Sequence, residues 1–460
     1  MNEGEFRRLG AALRAFHGRF APLFGRKEAR RRSAQYLRGL LVQQTDRRNA
    51  ENLAEAVEGA TPRALQRFLT EAPWDPAPVV AALQAYLGER LLPREPGEGT
   101  LADTAFLLDD TGFAKQGTRS VGVARQYSGT LGKVGNCQIG VFLGYVSPRG
   151  HALVDGALYL PRRWVDDPAR CRRAGVPEPV LAQGYQSKAD LALALLRRAA
   201  AHGTLGAPWV VADAGFGELP AFRDALDDDR WHYLLAVPRT TPVFPKPPRM
   251  RTVTLGPGTA RRRVEVLPAA QTAQALAATL PVRQWRRLTV ADGAQGPRTH
   301  QFAAVRVWES RDGRPGRRTW LLLRHDLDGS DLTYFFSNAP PETSLRRLAR
   351  TSALRWPIET EFQHGKGEVG LDEYEVRSWR GWHHHTTMAL LAGAFLLTLQ
   401  QDWGEKEPRR HPAAGHLHPA PGAPPPPLDP PRPGPVAGHH PPPQRLRDGL
   451  PRQTATAHAP

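Results

Sequence analysis

The chain has 460 residues, with 62 lysines and arginines against 45 aspartates and glutamates and a formal net charge of +17. Such a length allows about two or three domains around a substantial core, and so large a basic excess expects a polyanion, most commonly nucleic acid. The only cysteines, Cys137 and Cys171, exclude both a disulfide framework and a structural zinc site.

From Glu5 to about Leu92 apolar residues recur at helical spacing, as in FRRLGAALRAF and RRRSAQYLRGLL. TPRALQRFL supplies Thr61 as an N-cap with Pro62 at the first helical position. This opening lacks the continuous apolar stretch of a signal peptide. Residues 1–92 read as a small basic helical domain suited to DNA, and the proline- and glycine-rich PREPGEGT, 93–100, as a linker.

Residues 101–401 have a different texture. TAFLLDDTGF, NCQIGVFLGYVS and HALVDGALYLP predict three strands of an antiparallel meander. KADLALALLRRAAAHG predicts a helix stopped by Gly203, PWVVADAGFG a short buried strand closing on a turn, LPAFRDALDD a helix and WHYLLAVP another strand. Three strands, a helix, a strand and a helix follow the order of a ribonuclease-H-like α/β core. A β-rich, arginine-rich insertion occupies about 239–339, after which helices resume in PETSLRRLARTSALRW and HHHTTMALLAGAFLLTLQ. The remaining 402–460 form a proline- and histidine-rich tail expected to be disordered. The longest apolar run, Met388 to Leu399, is too short to span a bilayer, so no membrane partner is expected.

Carboxylates mark the candidate chemistry. Asp109 and Asp110 close one apolar strand, FLLDD, and Asp213 closes another, WVVAD. Such a group is poorly solvated unless a cation stands beside it, and two strands lying together would offer oxygen ligands to a hard octahedral ion such as Mg²⁺. Each aspartate also has a plainer reading as a turn cap, Asp110 with Thr111 and Gly112 and Asp213 before Gly215. In RWPIETEFQHGK, Arg355, Glu359 and Lys366 fall within roughly 40° of one another at about 100° per residue, so one helix face would carry cation, carboxylate and cation. As surface decoration the Arg355–Glu359 pair would contribute only about 0.3–0.5 kcal/mol. As a phosphoryl-transfer face, Glu359 would bind metal while the cations grip the DNA backbone. Pro357 is expected to kink this helix and to set Arg355 off its face.

The trio Asp109, Asp213 and Glu359, with Arg355-x3-Glu359-x6-Lys366, resembles the DDE transposases of bacterial insertion sequences, in the branch whose last motif is Tyr-x2-Arg-x3-Glu-x6-Lys. Ser352 stands where that branch has tyrosine. DDTGFAKQG, SVGVARQYSGTLGKVGNCQIGVFLGYVS, VVADAGFG and GLDEYEVRSWRGWHHH, with the opening FHGRFAPLFGRKEARRRSAQYLRGLL, are together similar to the 701 family of insertion sequences, up to about Gln401. The resemblance implies a ribonuclease-H-like catalytic domain using two Mg²⁺ ions, for which Mn²⁺ substitutes, held by Asp109 or Asp110 with Asp213 and Glu359. It implies cleavage of double-stranded DNA at the terminal inverted repeats, strand transfer into target DNA, a homodimer on paired ends, and a cytoplasmic location at the nucleoid. The Asp-x-Thr pattern favours Asp109 over Asp110 as the catalytic carboxylate. Arg355 and Lys366 inherit phosphate contacts, and Lys115 and Arg125, in the basic segment after the first strand, are further candidates for DNA contact.

Two other functions stay open: a catalytically silent DNA-binding derivative that regulates transposition, and a structure-selective nuclease that cuts without joining. GTLGKVG, 129–135, lacks the spacing of a P-loop. His383, His384 and His385 point in different directions on one helical turn and read as core-edge or DNA-facing residues rather than metal ligands. Trp356, Trp379 and Trp382 read as packing against helices rather than stacking on bases.

Overall fold

The computed structural model describes residues 3–43, 47–95, 97–129, 132–254, 262–293, 296–327 and 331–403. The tail assigned to 402–460 lies outside them, apart from its first two residues, which are helical. The chain opens with α1 (Glu3–Phe20), α2 (Lys27–Val42), α3 (Ala50–Glu55), α4 (Pro62–Thr70) and α5 (Pro76–Leu91). Thr61 caps α4 as its position predicts, its hydroxyl accepting from the Ala64 N–H at 3.3 Å.

Next come β1 (Ala105–Ala114), β2 (Ala124–Ser128), β3 (Lys133–Ser147) and β4 (Gly150–Leu158), followed by the short helices α6 (Arg162–Val165), α7 (Pro168–Arg173) and α8 (Glu178–Ala182). Then come α9 (Lys188–His202), β5 (Trp209–Ala212), α10 (Ala214–Gly217), α11 (Pro220–Asp228) and β6 (His232–Val237). The expected meander is present, but β2 is an additional strand. Its sequence, ARQYS, is short and polar enough to hide the period-2 signal. Helix α9 starts on a Ser187–Asp190 capping box and stops at Gly203, whose φ of 67° is left-handed backbone that glycine adopts without a Cβ clash. β5 is buried at every position, as a strand inside a parallel ladder must be.

β1, β5 and β6 run parallel, while β3 pairs antiparallel with β1 and β4 with β3. The inserted segment comprises β7 (Pro242–Phe244), β8 (Arg249–Thr254), β9 (Arg262–Leu267), β10 (Gln271–Thr272), α12 (Ala273–Ala278), β11 (Arg286–Gly293), β12 (Gly296–Arg311), β13 (Arg314–His325) and β14 (Leu332–Ser337). It is strand-rich as expected, yet most of it continues the central sheet. β14 pairs with β6, giving the order β10-β7-β12-β13-β14-β6-β5-β1-β3-β2, with β8 and β9 as a separate pair. Covering the outer edge of β6 satisfies backbone groups that an exposed edge would leave open.

The chain then forms α13 (Leu345–Ala353), α14 (Pro357–Gly367) and α15 (Trp379–Trp403). Buried along most of its length, α15 packs against α2, α4, α5 and β4, so the N-terminal helices and the sheet share one apolar core. His383, partly exposed, sits at the core edge as expected, whereas His384 and His385 are interior ties and not DNA-facing groups. His384 stacks on Trp74 with ring centroids 3.8 Å apart and donates from Nε2 to the Trp74 carbonyl at 3.0 Å. His385 donates from Nε2 to the Gly370 carbonyl at 3.1 Å, which leaves Nδ1 to accept from the Tyr36 hydroxyl at 2.8 Å. Burial pushes both imidazoles down to about 4, keeping them neutral. Tyr36→Phe would strand a buried acceptor on His385, and a loss of about 1–3 kcal/mol is expected in the denaturation midpoint, with an unchanged slope. Among the described residues no helix, α15 included, is long and apolar enough to cross a membrane.

Candidate active site

The site is built where the parallel ladder stops. β1 and β5 pair in register as far as Leu108 and Ala212, so the following residues, Asp109 and Asp213, leave neighbouring strands side by side. β1 itself does not end there. Its antiparallel pairing with β3 continues through Asp110, Thr111 and Gly112 to Ala114, which corrects the expectation that the strand closes at the paired aspartates. Side chains alternate along the strand, so Asp110 points away from Asp109 and its Oδ2 meets Lys188 Nζ at 2.9 Å. No sequence motif marks Lys188, the first residue of α9.

Asp213 satisfies its plainer reading as a cap. It caps α10, its Oδ1 accepting from the Phe216 N–H at 3.4 Å, and it also sits beside Asp109. Burial, reinforced by the charge on Asp213, pushes the Asp109 carboxyl up to about 7. Burial also raises Asp213, against the opposing pull of the Arg355 guanidinium.

Helix α14 starts at Pro357, where the missing N–H has no intrahelical partner to lose, so the expected kink inside a longer helix does not occur. Arg355 lies in the turn between α13 and α14 rather than on a shared helix face. From that turn its Nη1 donates to Glu359 Oε1 at 2.7 Å, and its Nη2 stands 3.5 Å from Asp109 Oδ2. Arg355 thus bridges the glutamate of α14 and the aspartate of β1. Lys366, in the last turn of α14, donates from Nζ to Thr111 Oγ1 at 2.8 Å and to the Gly112 carbonyl at 3.3 Å, and burial lowers its pKa.

The other face of α14 carries a residue that sequence reasoning missed. Glu361 accepts from His151 Nδ1 at 2.7 Å and from the Leu153 N–H at 3.3 Å, tying the helix to β4. The signal was present in its spacing, since two residues from Glu359 corresponds to about 200° around a helix.

The remaining candidates separate. Lys115 is half-buried, donates to the Tyr374 carbonyl at 3.2 Å and lies 3.6 Å over the Tyr374 ring, and burial pulls it down to about 8. Arg125 is exposed on β2. Ser352 is buried in α13, its hydroxyl donating to the Ala349 carbonyl at 2.7 Å. Trp382 is buried and Trp379 packs at a tilt against His383, with ring centroids 4.3 Å apart, as packing predicts. Trp356 departs from that expectation: it is 52% exposed beside Arg355, with the Arg298 guanidinium 4.7 Å from its ring centre. Among the described residues no three histidine, cysteine, aspartate or glutamate side chains stand close enough together, as placed, to hold a metal ion.

A family model for the DDE superfamily endonucleases matches residues 19–297, more than half of the chain, and the chain belongs to that family. The matched segment contains Asp109 and Asp213 and ends before Glu359. The chain is also 27% identical over 373 residues to a protein of Microchaete diplosiphon described as a probable transposase for insertion sequence element IS701, covering 79% of this chain and 80% of that protein.

Proposed function

We propose that the protein is the transposase of an insertion sequence, a ribonuclease-H-like enzyme that cuts double-stranded DNA at its element's terminal inverted repeats and joins the freed ends to target DNA. Asp109, Asp213 and Glu359 are its catalytic carboxylates in this reading. The observation that carries it is the pair Asp109 and Asp213 on adjacent parallel strands, with Arg355 linking Asp109 to Glu359. The spatial order β4-β3-β1-β5-β6, in which the meander joins parallel strands through α9 and α11, supports the core assignment.

The donor set suits Mg²⁺, or Mn²⁺ in its place. It consists of carboxylate oxygens only, two of them buried near each other and held above their ordinary range, and a guanidinium already stands between Asp109 and Glu359 as a shared positive charge. Asp109, Asp213 and Glu359 would hold two such ions, while Asp110 is neutralised by Lys188. Bound there, the ions supply an activated oxygen nucleophile and stabilise the departing oxygen. In cleavage a water oxygen attacks phosphorus and the P–O3′ bond breaks, releasing a 3′ hydroxyl. In joining, that hydroxyl attacks a target phosphorus and displaces its 3′ oxygen. Arg355 and Lys366, which reach β1 two to three residues apart, hold the phosphate oxygens, and Arg125 and Lys115 extend the contact along the backbone. Residues 1–92 add DNA-binding surface, and two copies act on paired ends.

A labelled duplex bearing the element's end, incubated with protein and Mg²⁺, tests this reading against Asp213→Ala and EDTA controls. Nicking at the boundary that disappears in both controls is expected. Binding without cutting would instead assign the silent regulatory derivative, and cutting without joining the nuclease. Lys366→Met is expected to slow nicking by about a hundredfold while the carboxylate site stays formed.

A further inference from the structure

Helix α14 presents Glu359 to Arg355 and Lys366 to β1. Ile358 and Phe362, about one turn apart, are buried beneath it, and the Phe362 ring meets Phe142 of β3 with centroids 5.5 Å apart. Apolar contacts of this kind set the depth of a helix but, being non-directional, do little to fix its rotation about its own axis. On the side away from Glu359, close packing does not fix it either. There Glu361, His364 and Glu368 border a cavity of about 580 Å³ between α14, β4 and α15.

The directional contact on that side is made by Glu361, about 200° around the helix from Glu359. Both carboxylate oxygens are engaged, Oε1 by His151 Nδ1 at 2.7 Å and Oε2 by the Leu153 N–H at 3.3 Å. β4 is shaped for this contact. Its pairing with β3 steps from Leu143–Asp155 to Gly144–Leu153, leaving Val154 as the extra residue of a bulge, a device that re-aims the groups beside it. The Val154 carbonyl accepts from Gln84 Nε2 of α5 at 3.3 Å, so the bulged segment is itself held from the other side. Helical side chains reach about 5–6 Å from the axis, and a roll of about 10° therefore displaces a carboxylate by about 1 Å. A displacement of that size at a reacting centre costs about a hundredfold in rate.

We propose that Glu361 and His151 are positioning residues: their tie at the bulge of β4 sets the roll of α14 and thereby the reach of Glu359 toward Asp109. This rests on the DNA-cutting reading above and adds to it two residues that act through Glu359 and touch neither DNA nor metal.

The test measures Mg²⁺-dependent nicking of the element-end duplex and, separately, Mn²⁺ binding to the DNA-free protein by electron paramagnetic resonance. It compares wild type with Glu361→Leu, His151→Ala and His151→Asn. Glu361→Leu is expected to lower kcat about a hundredfold while the KM for DNA changes less than about threefold, and His151→Ala to lower kcat about tenfold. Mn²⁺ affinity should fall about tenfold in Glu361→Leu. His151→Asn, whose amide nitrogen donates from the place of Nδ1, should return to within about threefold of wild type. Both side chains are partly exposed, so the Tm of Glu361→Leu in EDTA should stay within about 2 °C of wild type. Unchanged kcat and Mn²⁺ affinity in Glu361→Leu would overturn the proposal while the transposase reading stands. A raised KM with unchanged kcat would make Glu361 a DNA contact and overturn it too. So would a Tm that falls in step with the rate in every variant, His151→Asn included, since the tie would then be structural only. If the wild type binds Mn²⁺ without nicking and Glu361→Leu binds it more weakly, the transposase reading falls and the positioning of Glu359 stands. If the wild type neither nicks nor binds Mn²⁺, both fall.

Discussion

Asp109→Asn is expected to slow DNA cleavage by about a thousandfold or more and, at the same time, to make the fold more resistant to heat above pH 7. The stability half follows from the site's electrostatics. Burial first, and the Asp213 charge second, hold the Asp109 carboxyl up to about 7, against an ordinary value of about 3.9 in an unfolded chain. Below about pH 4 both states are protonated and the group has no effect. Between about 4 and 7 the unfolded chain ionises while the folded one does not, so stability falls as pH rises; above about 7 the penalty is complete, on the order of 4 kcal/mol. Asparagine does not ionise, so the variant should lack this slope. Calorimetric Tm against pH in EDTA should show the two curves diverging upward from about pH 4, and added Mg²⁺ should raise the wild type more than the variant. Parallel curves, or cleavage surviving in Asp109→Asn, would remove Asp109 from the site.

The largest effect on stability alone is expected at Glu309. This residue of β12 is 1% exposed and accepts from Arg223 Nη2 at 3.0 Å and from Arg311 Nη2 at 2.8 Å. Arg223, on α11, is itself 4% exposed, and Arg311 and Arg317 continue the network to Asp224 and Asp227 of the same helix. The network pins the inserted strands to the helix that follows the second aspartate. Several arginines that composition alone would offer to DNA are therefore engaged inside the protein. Glu309→Gln leaves Arg223 buried without its full countercharge and should cost about 3–5 kcal/mol in chemical denaturation. The double variant Glu309→Met with Arg223→Met should recover much of that loss, because an apolar pair of similar volume avoids desolvating either charge. If the single and double variants lose equal amounts, the pair is not the source of the effect.

Much of the candidate site is legible in the sequence. Asp109, Asp213, Arg355, Glu359 and Lys366 stand out because each sits at a local pattern, an apolar strand end or a helical spacing, and such patterns are written in consecutive residues. Trp356 was misread because packing and exposure look alike in sequence; its ring faces solvent under Arg298 instead of a helix. Lys188 and Arg223 were not marked at all, since their partners lie 78 and 86 residues away.

By itself the sequence determined the elements and the residue types of the candidate chemistry: the continuous apolar runs of β1 and β5, the caps of α4 and α9, and the arginine, glutamate and lysine spacing near α14. These depend on local backbone preference and on which face meets water, and both act over a few residues. Tertiary structure alone decided which aspartate stands near Arg355 and which meets Lys188, where Arg355 reaches from its turn, and that the inserted strands extend the central sheet through β14 and β6. Register between distant strands and the choice of ion-pair partner depend on the summed packing and desolvation of segments far apart in the chain, and no short window of residues contains that sum.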